Sequence, residues 1–190
     1  MSTRLGRENC GGVTLVELIV FIVIVGVAMA GLFAAFNTIT AASADPQVRK
    51  QVLAIAESLM DEVSLMPFTF CDPDDPAAPT ASGTGDCATV EGLGAEGAET
   101  RYSTTLRFDN VSDYHGFAMT SGIQNFGNTT VPGLGAYSAS IGITLAGSDL
   151  GLGVPANAEA LRISVTVTGP GSISTTLEGY RTRYAPNALP

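Results

Sequence analysis

The stretch that decides the fold is ENCGGVTLVELIVFIVIVGVAMAGLFAAF, residues 8–36. Residues 13–36 are predominantly apolar, and Glu17 is the one charged residue among them. A helix of this length spans about 36 Å, which is enough to cross the hydrocarbon core of a membrane. We therefore expect residues 13–36 to form a transmembrane helix, and the position of Glu17 needs an explanation.

The flanking charges predict the orientation of this helix. Arg4 and Arg7 precede it and few basic residues directly follow it, so the N-terminus is expected inside the cell and the remainder of the chain outside. A secretory signal cleaved after the apolar core and a plain uncleaved anchor are alternative interpretations. Neither of them accounts for Glu17.

Glu17 requires a partner if it lies near a membrane. A carboxylate costs about 2.5–3.5 kcal/mol at the centre of a bilayer and less near the interface. No Lys or Arg lies close enough on the same helix. Cleavage of the chain after Gly12 would create an α-amine on Val13, and this amine on a neighbouring copy could neutralise Glu17.

The run Gly-Val-Thr-Leu-Val-Glu at 12–17, after a short basic leader, resembles the prepilin-peptidase motif of type IV pilins and type II secretion pseudopilins. The resemblance implies that residues 1–12 are a leader, cleaved between Gly12 and Val13, and that Val13 is then N-methylated. It also implies that Glu17 is the assembly residue, pairing with the N-terminus of an adjacent subunit. In this family the first mature residue is usually Phe or Met, whereas here it is Val.

The segment after the apolar run has the pattern of an amphipathic helix over residues 46–66. Asp45 is a favoured N-cap residue and Pro46 a favoured first helical residue. Pro67 ends the helix. Apolar residues recur at steps of three and four along one face: Val48, Val52, Ile55, Leu59, Val63 and Met66. We expect this stripe to pack on a sheet.

Residues 67–100 are predicted to form a loop, because they are acidic, rich in small residues and proline, and without periodicity. Cys71 and Cys87 lie within it, whereas Cys10 precedes the apolar run. If the body lies outside the cytoplasm, a disulfide between Cys71 and Cys87 is expected.

Three acidic residues of this loop, Asp72, Asp74 and Asp75, raise the alternative of a calcium site, since hard cations bind several oxygens. Their spacing fits no EF-hand loop, and prolines interrupt the run. We therefore predict a solvated acidic loop, no metal site and no cofactor.

Residues 101–184 carry the alternation of β-strands. The predicted strands cover residues 102–108, 137–146, 161–168 and 173–184. Gly-Pro-Gly at 169–171 joins the last two strands into a hairpin. The chain is therefore predicted as α+β: a long N-terminal helix with a membrane half and an amphipathic half, packed on an antiparallel sheet of about four strands. The amphipathic half and the sheet belong to the body, residues 37–190. The type IV pilin fold has this arrangement, so the two arguments agree.

Several segments of the body resemble the MshD-type minor pilin of the mannose-sensitive haemagglutinin (MSHA) pilus system. They are RKQVLAIAESLMDEVSLMPF at 49–68, DPDDP at 72–76, FDNVSDYHGF at 108–117 and ISVTVTGPGSISTTLEGYRTRYAP at 163–186. The resemblance implies a minor subunit that enters the fibre or its initiating complex. The implied partners are other pilin subunits, a prepilin peptidase, and an inner-membrane assembly machinery with its ATPase, platform protein and outer-membrane secretin.

The implied location is a single pass through the inner membrane of a Gram-negative bacterium, with the body in the periplasm and later in an extracellular pilus. A type II secretion minor pseudopilin is an alternative, because the N-terminal motif is shared. A pilus-tip adhesin that displays loops over 71–136 is another. The net charge of −9 argues against a nucleic-acid partner, which would select Lys and Arg.

The segment 108–117 combines three aromatic residues, two acids and the one histidine of the chain. Asp109, Asp113, Tyr114 and His115 form a binding loop if exposed, but we predict that the segment packs on the sheet. No GxSxG elbow, P-loop or zinc motif is present in the sequence. We therefore predict a structural protein and not an enzyme.

Overall fold

A computed structural model of the chain describes Gly12, residues 14–152 and residues 156–188, without the side chains of residues 38–45, 156 and 157. The predicted leader before Gly12, Cys10 and Val13 lie outside these residues. The described chain divides into two compact units, Met1–Pro46 and Gln47–Pro190.

Helix α1 extends from Leu15 to Leu65 and contains Pro46. Proline removes one hydrogen bond, the one to the carbonyl four residues earlier, while the flanking bonds remain. Asp45 and Pro46 therefore lie inside α1 and are not an N-cap and a first helical residue. The expectation that the amphipathic half continues the apolar half in one long helix is confirmed. The predicted helical end is nearly correct, because Pro67 follows the last helical residue by two positions.

In the first unit, Leu15–Asn37 is long and apolar enough to cross a membrane. Its 23 residues correspond to about 35 Å of helix. The large apolar side chains of this segment are exposed. The apolar stripe further along the helix, in contrast, is buried.

In the second unit, the stripe of α1 is buried as predicted. Val52 and Val63 are fully buried, and Ile55 and Leu59 nearly so, whereas Val48 and Met66 at the two ends are half-buried. These side chains belong to one apolar cluster with the inward face of the sheet. Burial of side chains of this size contributes about 1.5–3 kcal/mol each, so this contact is a principal stabilising element of the body.

The sheet has four antiparallel strands in chain order: β1 Ala118–Met119, β2 Ser138–Leu145, β3 Ala160–Thr168 and β4 Ser174–Thr182. Ile141 of β2 lies opposite Val165 of β3, which lies opposite Leu177 of β4. The α+β arrangement of a long helix with a four-stranded antiparallel sheet is the predicted one. The predicted hairpin is also correct, with a 3-10 turn over Pro170–Ser172 between its strands.

The first predicted strand is wrong. Residues 102–108 form turns in which Ser103 Oγ accepts a hydrogen bond from Leu106 N–H at 2.9 Å. A hydroxyl that satisfies the backbone locally competes with pairing to another strand. Thr104 and Leu106 are both exposed, so the alternation has no buried face. The sheet therefore begins at Ala118 and not at residue 101.

One residue of β2 also departs from its predicted face. Leu145, expected inside with Ile141 and Ile143, is 46% exposed at the end of the strand. Ile141 and Ile143 are buried as predicted, and Ala139, which the prediction did not include, is buried on the same face. The period-two pattern therefore identifies the strand but not the residue at which its inward face ends.

Candidate functional site

The start of helix α1 is fixed by Thr14. Its Oγ1 accepts a hydrogen bond from Glu17 N–H at 3.3 Å, and its carbonyl accepts one from Leu18 N–H at 3.1 Å. Thr14 is therefore the N-cap and Glu17 the third helical residue, the spacing of a capping box. An acidic residue in the first turn also interacts favourably with the helix dipole.

The surface that follows Glu17 is apolar and exposed on all sides of the helix. Phe21, Ile24 and Phe33 are each at least 62% exposed. Monomeric proteins in water rarely present an apolar surface of this extent. A lipid phase or neighbouring helices must therefore cover it.

The disulfide predicted from the sequence is present, with 5.3 Å between the Cα atoms of Cys71 and Cys87. The disulfide closes a loop, and Asp75 binds backbone groups near both ends of this loop. The carboxylate of Asp75 accepts hydrogen bonds from the N–H groups of Ala77, Ala88 and Thr89 at 2.8, 2.7 and 3.2 Å. The hydrogen bond from Ala77, with those from Thr89 and Ala88, lowers the pKa of Asp75 despite its burial.

The segment 108–117 packs into the body. Tyr114 is 1% exposed and its ring contacts Phe108 edge to face, with 5.0 Å between the ring centroids. Asp113 Oδ2 accepts hydrogen bonds from the N–H groups of Asp109 and Asn110. These contacts agree with the packing interpretation of the segment rather than with display of Asp113 and Tyr114 as a binding loop.

His115 joins this segment to the sheet. Its Nδ1 accepts a hydrogen bond from Ile143 N–H at 3.1 Å, on the side of β2 away from β3. Gly116 N–H donates to Ile141 O, and Ile141 N–H donates to Phe117 O. The chain from His115 to β1 thus runs along β2 and satisfies backbone groups that would otherwise face solvent.

The sequence did not reveal the ion pair between Glu62 on α1 and Arg101. It forms across 39 residues, and Arg101 is 4% exposed. Tyr114 donates a hydrogen bond to the same carboxylate at 3.0 Å. Neither charged residue interrupts a pattern in the sequence, so no local signal marks the pair.

The acidic loop differs from the predicted solvated loop. Asp72 and Asp75 are each 8% exposed, and of the three aspartates considered as calcium ligands only Asp74 is exposed. The three do not form one site, because Asp75 is engaged by backbone N–H groups. Asp72 instead lies among carboxylates from two later segments, Glu96, Glu99 and Asp113.

Burial and mutual repulsion raise the pKa values of these later carboxylates. Burial raises the pKa of Asp113 to about 7, against hydrogen bonds from Asn110 and Asp109 that lower it. Burial raises the pKa of Glu99, and the adjacent Asp72 raises it further. The pKa of Glu96 is also raised by burial. The raised pKa values show that ionisation of these three carboxyls is disfavoured in the cluster.

Comparison with known proteins identifies the N-terminal segment. The prokaryotic N-terminal methylation motif matches residues 7–33, which include Gly12, Val13 and Glu17. No curated protein and no solved structure matches the chain. The motif supports a precursor of a type IV pilin or pseudopilin that is processed by a prepilin peptidase and interacts with other pilins. It indicates a structural subunit, and with the apolar helix it fits an anchor in the inner membrane.

Proposed function

We propose that this chain is a minor pilin of an MSHA-type type IV pilus. Prepilin peptidase cleaves it between Gly12 and Val13, Val13 is N-methylated, and the apolar helix then packs into the fibre or its initiating complex. The observation that carries the proposal is the methylation motif over residues 7–33, which leads directly into an exposed apolar helix.

Polymerisation follows from the chemistry of the helix. Its exposed apolar side chains leave the lipid for the equally apolar surface of neighbouring helices, so the transfer has little hydrophobic driving force. A charge pair inside the bundle supplies the specificity that apolar contacts lack. Glu17 on one subunit and the methylated amine of Val13 on the next form that pair and set the axial register.

The assignment to a minor MSHA pilin is supported by the body segments whose sequences resemble the MshD type. Residues 49–68 supply the buried stripe of α1, and residues 163–186 contain most of β3 and all of β4. The segment 108–117 contacts the first of these through the hydrogen bond from Tyr114 to Glu62, and its buried Phe108 and Tyr114 share one apolar cluster with Ile163 and Val165 of β3. The resembling segments are thus in mutual contact and are not scattered over the surface.

Intact-mass spectrometry of sheared surface pili and of the membrane fraction tests the proposal. We expect a chain in the sheared fraction that begins at Val13 and carries one additional methyl group. A chain that retains the leader, found only in membranes, would overturn the proposal and leave a plain anchored domain.

A type II secretion pseudopilin is the second candidate, because the methylation motif supports either class. The two differ in where the processed chain is found and in what its loss affects. A deletion strain that loses surface pili supports the pilin. A strain that keeps its pili but no longer secretes folded exoproteins supports the pseudopilin.

A further inference from the structure

Four carboxylates converge in the body, outside the N-terminal helix. Asp72, Glu96, Glu99 and Asp113 each place one side-chain oxygen within 4.8 Å of an oxygen of every other member. Asp72 and Asp113 are buried, and Glu96 and Glu99 are half-buried. Acidic side chains gather in this way against their mutual repulsion only when something compensates the charge.

Three buried oxygens of the cluster lack a donor among the described residues. Asp72 is 8% and Asp113 is 2% exposed, and Oδ1 of each accepts no hydrogen bond from any described residue. The other oxygen of Asp113 is occupied by the backbone N–H groups of Asp109 and Asn110, so the free one is left to the cluster. Oε2 of Glu96 is likewise buried and without a donor. A buried acceptor without a partner is destabilising, and native proteins rarely leave several together.

The ion pairs given by the described residues do not include any of these acids. Within the described part of the chain, the ion pairs of Arg101, Arg162 and Arg183 are with Glu62, Asp149 and Glu159. None of these reaches the four carboxylates. The compensating charge must therefore come from a bound cation or from protons shared between the acids.

We propose that Asp72, Glu96, Glu99 and Asp113 form a Ca²⁺ site. Calcium binds carboxylate oxygens at 2.3–2.6 Å, so oxygens on opposite sides of one ion lie about 4.6–5.2 Å apart. The four oxygens lie within 4.8 Å of one another, close enough for all of them to bind one such ion. Magnesium requires a nearly octahedral arrangement at about 2.0–2.1 Å and usually keeps several waters, so a set of four protein carboxylates favours calcium. An all-oxygen set does not favour zinc or copper, which prefer nitrogen and sulfur ligands.

The ion would join three parts of the chain that are far apart in sequence. Asp72 adjoins the disulfide at Cys71, Glu96 and Glu99 lie in the loop after Cys87, and Asp113 lies in the 3-10 turn Ser112–Tyr114. Gly94 N–H already donates a hydrogen bond to Ser112 O at 3.0 Å, which holds the loop after Cys87 against the turn that contains Asp113. Calcium would thus complete a cross-link that the disulfide and backbone bonds begin.

Calcium titration of the full-length chain in detergent at pH 7.5 tests the site. Isothermal titration calorimetry should show one Ca²⁺ per chain, with Kd about 0.1–1 mM as in extracellular modules. At 10 mM Ca²⁺ the Tm should rise by about 3–6 °C or more relative to EGTA. Mg²⁺ at the same concentration should give a smaller shift. No saturable binding up to 10 mM Ca²⁺, or tighter binding of Mg²⁺, would overturn the proposal.

Matched variants separate the site from the general acidity of the chain. Glu99→Gln and Glu96→Gln should each weaken calcium binding about tenfold or more, while Glu178→Gln, an exposed acid on β4, should bind like the wild type. In EGTA, Glu99→Gln should have a higher Tm than the wild type, because it removes repulsion. This rise also shows that the variant is folded. If Glu178→Gln loses as much calcium affinity as the cluster variants, or if both cluster variants bind calcium like the wild type, no defined site exists.

Discussion

Glu62 and Arg101 form a two-pronged ion pair inside the body. Nε of Arg101 lies 2.7 Å from Oε1 of Glu62, and Nη2 lies 2.8 Å from Oε2. The remaining nitrogen, Nη1, donates to Gln124 O at 3.0 Å, and the guanidinium lies 4.4 Å from the ring centroid of Phe126. One arginine thus holds the helix, the loop before β1 and the turn at Gln124 together.

Arg101→Ala should destabilise the body by about 3–5 kcal/mol, because it leaves the Glu62 carboxylate buried without its counter-charge. Urea unfolding of the full chain in detergent measures the effect. Arg162→Ala is the control, since its pair with Asp149 is exposed and long, at 3.9 Å, and should contribute less than about 1 kcal/mol. If both variants lose the same free energy of unfolding, the buried pair is no more important than the exposed one.

Removal of the disulfide should lower the free energy of unfolding by about 3 kcal/mol, from the loop entropy of a 16-residue separation. The double variant Cys71→Ala/Cys87→Ala tests this without leaving a free thiol in the body. Cys10→Ser should leave stability unchanged, because Cys10 belongs to the segment proposed to be cleaved. A double variant as stable as the wild type would show that Asp75 alone holds the loop.

Asp75 should make stability depend on pH in the acid range. Because its pKa is lower in the folded state, its contribution is present above its unfolded pKa of about 4 and is lost as pH falls through the folded pKa. In Asp75→Asn, an NH2 group replaces one of the two carboxylate oxygens and faces backbone N–H groups, which it cannot accept from. The Tm difference between wild type and Asp75→Asn should therefore be large at pH 7 and narrow towards pH 2–3. A difference independent of pH would contradict a role for the charge.

Glu17→Ala should permit cleavage after Gly12 but prevent entry into the pilus, because the charge that sets register is missing. Immunoblots of membrane and sheared fractions measure both steps, and Glu57→Ala, an exposed acid later in α1, is the control. Glu17→Gln separates the charge of the side chain from its size, since it keeps the size and loses the charge. Normal pilus levels of Glu17→Ala would refute the assembly role.

The elements that the sequence predicted correctly have patterns that repeat over many residues. The stripe of α1 and the alternation of β3 are read from the period of the apolar positions, and burial on one face enforces that period. The strand predicted at 102–108 failed because its pattern is short. Three alternating residues are also compatible with turns closed by Ser103, and local hydroxyl bonds decided the outcome.

The side-chain clusters could not be predicted, because each joins segments distant in sequence. Glu62 and Arg101 are separated by 39 residues, and Asp72 and Asp113 belong to different loops. The sequence grouped Asp72 with its neighbours Asp74 and Asp75, yet Asp74 is exposed and Asp75 is held by backbone N–H groups. The disulfide was predicted correctly because only Cys71 and Cys87 follow the apolar run, in a body expected outside the cytoplasm.

The cap at Thr14 also determines what a peptidase can reach. Proteases bind their substrates as extended chains, and a peptide bond inside a helix cannot adopt that conformation. Because α1 begins at Leu15 and Gly12 lies outside it, the cleavage proposed after Gly12 does not require this helix to unwind. The N-cap at Thr14 would therefore let an enzyme act on the chain before the helix while the apolar residues that follow stay helical for packing.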